Sequence, residues 1–118
     1  MADNKKIHDF AVKYYKLYKN QNTIEREVEI GFAEHCFELG FIMDSGKKFI
    51  DTYTEEAFNT KTGLNKVIKD INDVNLLGSA VFSRWRYVTH WAGCASLLDD
   101  EYREWFIAAF DRLAAITQ

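Results

Sequence analysis

The sequence predicts a mostly all-α fold, a compact bundle of about five to six helices. The 118 residues include no proline and only six glycines, whereas a β-sandwich or barrel of this length needs many turns rich in Gly, Pro and Asn. Apolar residues instead recur every three or four positions over long segments, which is the pattern of amphipathic helices. The length is typical of one domain, so we expect residues 1–118 to form a single helical domain.

The first two predicted helices lie before Gly40. The first, from about Lys5 to Asn20, places six apolar residues on one face: Ile7, Phe10, Ala11, Tyr14, Leu17 and Tyr18. Asn22 or Thr23 is suited to cap the second helix. We expect that helix to run to Leu39 and to stop at Gly40, because glycine is the usual residue just beyond a helix end.

Residues 41–53 are compatible with two structures. Aromatic and β-branched residues alternate with polar ones on both sides of Asp44-Ser45-Gly46, which indicates a short β-hairpin. The alternative is a turn followed by a helix that starts at Ser45. The alternation favours extended structure, so the predicted fold includes one short hairpin near residues 41–53.

Four further helices are predicted after residue 53. Thr54, which precedes two glutamates, is a capping signal for a short helix, and Thr62 is a capping signal for another. Two long patterns follow, from about Asp73 to Trp91 and from about Ser96 or Asp99 to Thr117. The last pattern begins with acidic residues, which match the positive end of a helix dipole.

Composition excludes several classes of protein. A hydrophobic content of 47% and a net charge of −3 are those of a folded domain, not of a disordered tail. No apolar run reaches the roughly 18 residues of a membrane span, and no secretory signal is visible. The two cysteines form no CxxC pair and are typical of buried thiols in a reducing compartment. We therefore expect a cytoplasmic protein with no membrane attachment.

Charge alternates in blocks along the chain. The net charge is +3 over residues 1–20, −6 over residues 21–60, +3 over residues 61–91 and −3 over residues 92–118. Blocks of opposite sign can pack side by side within a bundle, which is the simpler interpretation. The alternative is a dipolar surface that presents an acidic face to a basic partner.

A narrow polar line runs along the otherwise apolar helix predicted over Asp73–Trp91. It consists of Ser79, Ser83, Arg86 and His90, at a spacing of three or four residues. These side chains either face solvent or form one wall of a pocket for a small anionic ligand such as a nucleotide. The solvent-facing interpretation is the simpler one.

Arg84 lies against the apolar side of the same predicted helix. A buried guanidinium without a partner costs several kcal/mol, so we expect an ion pair with an acid of the second helix, namely Glu27, Glu34 or Glu38. His35, on the apolar stripe of that second helix, is expected to be a neutral core histidine.

The second helix also carries a second apolar strip, formed by Ile30, Ala33 and Phe37. A helix that is apolar on two sides is either enclosed in the bundle or in contact with another chain. We expect this strip to bind a protein partner or a second copy of the chain, for which an isologous dimer is the commonest arrangement.

The sequence contains no recognised catalytic constellation. GxSxG, Walker-type, GxGxxG and HExxH motifs are missing, and no His or Cys spacing indicates a metal, which favours a non-enzymatic protein with no cofactor and no metal. The run Arg84-Trp85-Arg86-Tyr87 alternates basic and aromatic residues, as proteins that bind single-stranded nucleic acid do. The chain is mildly acidic, however, which does not favour nucleic-acid binding. The expected function is binding that occludes or regulates a protein partner. A small-ligand or nucleotide sensor is the alternative, and a single-stranded nucleic-acid binder is the third hypothesis.

Overall fold

The computed structural model describes residues 3–20, 26–91 and 100–118, and of residues 26–30, 90 and 91 it describes the backbone alone. These ranges contain seven α-helices, one 3₁₀-helix and no β-strand. The α-helices are α1 Asn4–Asn20, α2 Arg26–Glu38, α3 Ser45–Thr52, α4 Glu55–Asn59, α5 Lys61–Val67, α6 Val74–Trp91 and α7 Asp100–Ile116, and the 3₁₀-helix Ile68–Asp70 follows α5. The predicted all-α class is confirmed.

The hairpin predicted near residues 41–53 is wrong, because this segment forms a turn followed by α3. Helix α3 starts at Ser45, as in the alternative interpretation of the sequence. Phe49 is fully buried on its inner face, whereas Lys47 and Asp51 form an ion pair of 2.9 Å on its exposed side. The alternation of apolar and polar residues therefore belongs to a short amphipathic helix, which raises the helix count to seven instead of five to six.

Gly40 ends α2 and turns the chain towards α6. Its φ of +82° lies in the left-handed region that favours glycine. The Gly40 amide donates to Phe37 O (3.0 Å) and the Phe41 amide donates to Cys36 O (3.0 Å), which are the two hydrogen bonds of a Schellman motif. The predicted stop of the second helix at Gly40 is confirmed.

The chain after Gly40 packs closely against α6. A Cβ atom at Gly78 would overlap the buried Phe41 ring, so this position of α6 accommodates only glycine. The Phe41 ring also contacts Phe10 of α1, with ring centroids 5.9 Å apart. Phe41 therefore joins the end of α2 to both α1 and α6.

Aromatic rings on α1 and α7 form much of the core. Tyr18 stacks on Phe106 with ring centroids 5.2 Å apart, and Tyr14 stacks on Phe110 at 5.7 Å. Helix α6 packs against α3 and α7 and is buried along most of its described length. It is the largely apolar inner helix that the sequence predicts over Asp73–Trp91.

Threonine caps start the two short helices in the middle of the chain. Thr54 Oγ1 accepts a hydrogen bond from Ala57 N (2.8 Å) at the start of α4, as predicted. The predicted cap at Thr62 is wrong. Thr60 Oγ1 accepts a hydrogen bond from Gly63 N (2.9 Å), and α5 begins at Lys61. Thr60 also ends α4, so one extended residue separates the two helices.

We expect Gly78→Ala to lower the free energy of unfolding by about 1–3 kcal/mol, because the added methyl group displaces the Phe41 ring. Urea denaturation followed by far-UV circular dichroism measures the change. Gly31→Ala in α2 is the matched control, since no described atom lies within 4 Å of the added Cβ. Because alanine has a higher helix propensity than glycine, Gly31→Ala should raise the free energy of unfolding by up to about 1 kcal/mol. Equal effects of the two variants would contradict the close contact at Gly78.

Candidate functional site

Two serines of the predicted polar line bind the backbone of the segment before and within α3. Ser79 Oγ accepts a hydrogen bond from Ile42 N (2.9 Å), and Ser83 Oγ accepts one from Gly46 N (3.0 Å). The serines are one helical turn apart on α6, and their two amide partners are likewise four residues apart. These two hydrogen bonds therefore hold α3 and the turn before it against α6.

The described side chains of the polar line differ in their burial. Ser79 is buried, Ser83 is half-buried and Arg86 is exposed, while the His90 side chain lies outside the described residues. Of the three described side chains, only Ser79 lines the groove between the end of α2 and the starts of α3 and α6. A ligand-binding role for Ser79, Ser83, Arg86 and His90 stays a prediction.

Arg84 is buried, with 7% of its surface exposed, and contacts α4 and α7. Its Nη1 donates to Phe58 O (3.1 Å), and its guanidinium carbon lies 5.0 Å from the ring centroid of Trp105 and 5.9 Å from that of Tyr102. Trp105 Nε1 in turn donates to Ala57 O (2.9 Å). Carbonyls at the end of α4 are thus held by side chains from α6 and α7, and cation–π contacts stabilise the buried charge.

The described contacts of Arg84 give no support to the predicted ion pair with Glu34 or Glu38. Both glutamates are exposed on α2, and α2 packs on the side of α6 that carries Phe82. Phe82 and Arg84 point in nearly opposite directions, because two residues span about 200° of a helix. The Glu27 side chain lies outside the described residues, so a pairing with that residue stays a prediction.

His35 is half-buried on α2, so it is less buried than the core histidine that the sequence predicts. Its ring meets Phe10 edge-on, with centroids 5.0 Å apart. Burial lowers the pKa of His35, and the nearby positive charge of Lys13 lowers that pKa further, whereas Glu38 opposes the shift. The neutral imidazole is therefore favoured, which is the charge state that the sequence predicts.

The second apolar strip of α2 is exposed at its C-terminal end. Phe37 is 63% exposed, although its ring still contacts Phe82 edge-on at 5.2 Å. Ala33 is partly buried against the core, and the Ile30 side chain lies outside the described residues. Of the two described side chains of the predicted partner surface, Phe37 is therefore the more accessible to another molecule.

A groove of about 630 Å³ lies between the end of α2, the start of α3 and the start of α6. Phe37 and Ile42 both line it, and Ile42 is also 63% exposed. Met43, the next residue, is exposed as well. We call Phe37, Ile42 and Met43 the apolar rim. The other lining residues are Glu38, Leu39, Gly40, Ser45, Lys48, Asp73, Asn75, Leu76 and Ser79.

The sequence pattern does not predict that Ile42 and Met43 are exposed, because the alternation over residues 41–53 favours a hairpin. One signal was available. Three apolar residues, Phe41, Ile42 and Met43, directly follow the helix-ending Gly40. A tight turn that buries the first of them leaves little room to bury the next two, so an exposed apolar pair could have been expected there.

The described residues show neither a metal site nor a membrane span. No group of three or more His, Cys, Asp or Glu side chains among them is arranged to hold a metal ion. Within the same ranges, no helix combines the length and the apolar character needed to cross a bilayer.

Comparison with known proteins finds no matching family model, no similar curated protein and no similar solved structure.

Removing the serine hydroxyls leaves two backbone amides of the α3 segment without an acceptor. We expect Ser79→Ala and Ser83→Ala each to lower the free energy of unfolding by about 1–3 kcal/mol. Hydrogen exchange of the Ile42 and Gly46 amides should become faster in the corresponding variant. Ser45→Ala is the control, because no hydrogen bond of its hydroxyl is described. Unchanged exchange at both amides would show that the serines do not hold α3.

Two tryptophans allow the polar contacts of Trp105 to be compared with a tryptophan that lacks a hydrogen bond. Trp105 Nε1 donates to Ala57 O, whereas Trp85 Nε1 is buried and has no hydrogen-bond partner in the described part of the chain. Replacement by phenylalanine removes the same ring volume at both positions. We expect Trp105→Phe to reduce the free energy of unfolding by about 1–3 kcal/mol more than Trp85→Phe, measured by urea denaturation. Equal losses would contradict a stabilising role for this bond.

Proposed function

We propose that this chain is a non-enzymatic binding protein that holds a protein partner against the apolar rim. One observation carries the proposal. Of the four large hydrophobic residues that are exposed in the described part of the chain, three form the apolar rim, and two of these face the same groove. Contiguous exposed apolar surface is typical of interaction sites, and its burial drives association by about 25 cal/mol per Å².

The position of the rim is fixed by the fold, which favours binding. The Schellman motif at Gly40 fixes the last turn of α2, which contains Phe37, and the Ser79 hydroxyl accepts a hydrogen bond from the backbone amide of Ile42. Side chains on a preorganised backbone lose less conformational entropy when a partner binds. The rim is therefore suited to act as an anchor for a partner.

The small-ligand alternative has less support. A pocket walled by the predicted polar line needs its hydroxyls to face a shared cavity, but Ser79 and Ser83 accept hydrogen bonds from backbone amides. Arg86 is exposed and does not line the groove. A protein partner is therefore the function that the described geometry supports best.

The test compares capture by two matched variants. Phe37→Ser/Ile42→Ser removes most of the apolar rim, while Tyr87→Ser removes the fourth exposed hydrophobic residue, two helical turns beyond Ser79 on α6. A protein from cells that express this chain should be retained by the wild type and by Tyr87→Ser but not by the double variant. Calorimetry with the purified partner should show a dissociation constant raised by about tenfold or more in the double variant.

Both variants change exposed side chains, so melting temperatures close to that of the wild type will show that each folds. A partner that binds all three proteins with equal affinity would overturn the assignment of the apolar rim as the binding surface.

A further inference from the structure

The charged residues around the groove indicate which sign of charge the partner must carry. Glu38 and Asp73 line the groove, and Asp44 directly follows the apolar rim. Glu34 lies one turn before Glu38 on the same face of α2. All four acids are exposed, and none forms an ion pair within the described residues. We call them the acidic border.

Three lysines lie near the acidic border. Lys6 and Lys13 of α1 line a neighbouring pocket with Glu38, and Asp9 of α1 lines it too. Lys48 is the only base among the residues that line the groove. Its neighbour Lys47 forms an ion pair with Asp51 at 2.9 Å, so the positive charge of Lys47 is already balanced within α3. The apolar rim is therefore surrounded by an excess of negative charge.

This charge disfavours three classes of occupant. An isologous contact with a second copy brings the acidic border of one chain against that of the other, and like charges in an interface are repulsive. Anionic lipid surfaces and nucleic acids are polyanions and are repelled for the same reason. The favoured occupant is a polypeptide that carries positive charge.

We infer that the partner contributes a basic amphipathic helix, with apolar side chains in the groove and lysine or arginine residues over the acidic border. This inference rests on the proposed function and adds the chemistry of the partner. Addition of a β-strand is the other common mode of peptide binding, but it needs a sheet edge, and the described residues contain no strand. A helix that lays its apolar face in a groove needs only the surface described above.

The test uses two synthetic peptides with identical leucine positions in a heptad pattern, each about 21 residues long so that a helix can form. The polar positions are lysine in one peptide and glutamate in the other. Fluorescence anisotropy should show binding of the Leu/Lys peptide, weaker binding as salt is added because the border charges are screened, and no binding of the Leu/Glu peptide. Phe37→Ser/Ile42→Ser should weaken binding of the Leu/Lys peptide by about tenfold.

A second pair of variants tests whether the acidic border matters, as distinct from the net charge of the chain. Glu38→Gln/Asp73→Asn neutralises two border acids, and the asparagine retains an oxygen that can accept the capping hydrogen bond of Leu76 N. Glu55→Gln/Asp111→Asn neutralises two exposed acids elsewhere. The border variant should bind the Leu/Lys peptide about tenfold more weakly than the wild type, and the control variant should bind like the wild type.

The possible failures are distinguishable. Equal binding of the two peptides, or equal binding by the two charge variants, overturns the basic partner. The proposed function stands in that case if a captured protein still requires Phe37 and Ile42. A dimer that light scattering detects in the wild type and not in Phe37→Ser/Ile42→Ser also overturns the basic partner, in favour of a second copy. If the apolar variant alters no interaction, both proposals fail.

Discussion

The structure depends on three polar side chains of α6 that bind the backbone of residues 42–58. Ser79 and Ser83 accept from the amides of Ile42 and Gly46, and Arg84 donates to the carbonyl of Phe58. Helices α3 and α4 have eight and five residues, and helices this short are marginal in water without tertiary contacts. The hydrogen bonds from α6, together with the burial of Phe49 and Phe58, therefore decide where this segment lies.

This use of α6 explains how a helix so apolar can carry polar residues. A buried hydroxyl or guanidinium destabilises a fold unless it forms hydrogen bonds. In this chain the partners are backbone groups of a neighbouring segment. These hydrogen bonds also affect the surface. The bond from the Ile42 amide to Ser79 holds the turn that carries Ile42, and the exposed Ile42 lines the same groove as Phe37. The buried polar residues thereby shape the groove without having to touch its occupant.

The sequence predicts the long helices well because their apolar periodicity extends over many turns, and it predicts the end of α2 because Gly40 is a local signal. It fails over residues 41–53 because α3 is held by serines about 37 positions further along the chain, and local alternation does not reveal such contacts. For the candidate site, Phe37 was predicted from the second apolar strip of α2. The exposure of Ile42 and Met43 was not predicted, since it depends on that long-range docking.

The distribution of ion pairs bears on the two interpretations of the charge blocks. The ion pairs in the described part of the chain are formed within α3, within α7, between α5 and α7 and between α5 and α4. None of them involves the five exposed lysines of α1 or the glutamates Glu34 and Glu38 of α2. In these residues the blocks of opposite charge do not neutralise each other by direct pairing. Exposed charges contribute little to stability, whereas they guide association with a partner of opposite charge. Lys6 and Lys13 of α1 line a small pocket together with Glu38 of α2, so this part of the acidic block lies beside the basic block, as complementary packing requires. The dipolar surface applies to the remaining border acids, because these lie next to the apolar rim and away from that pocket.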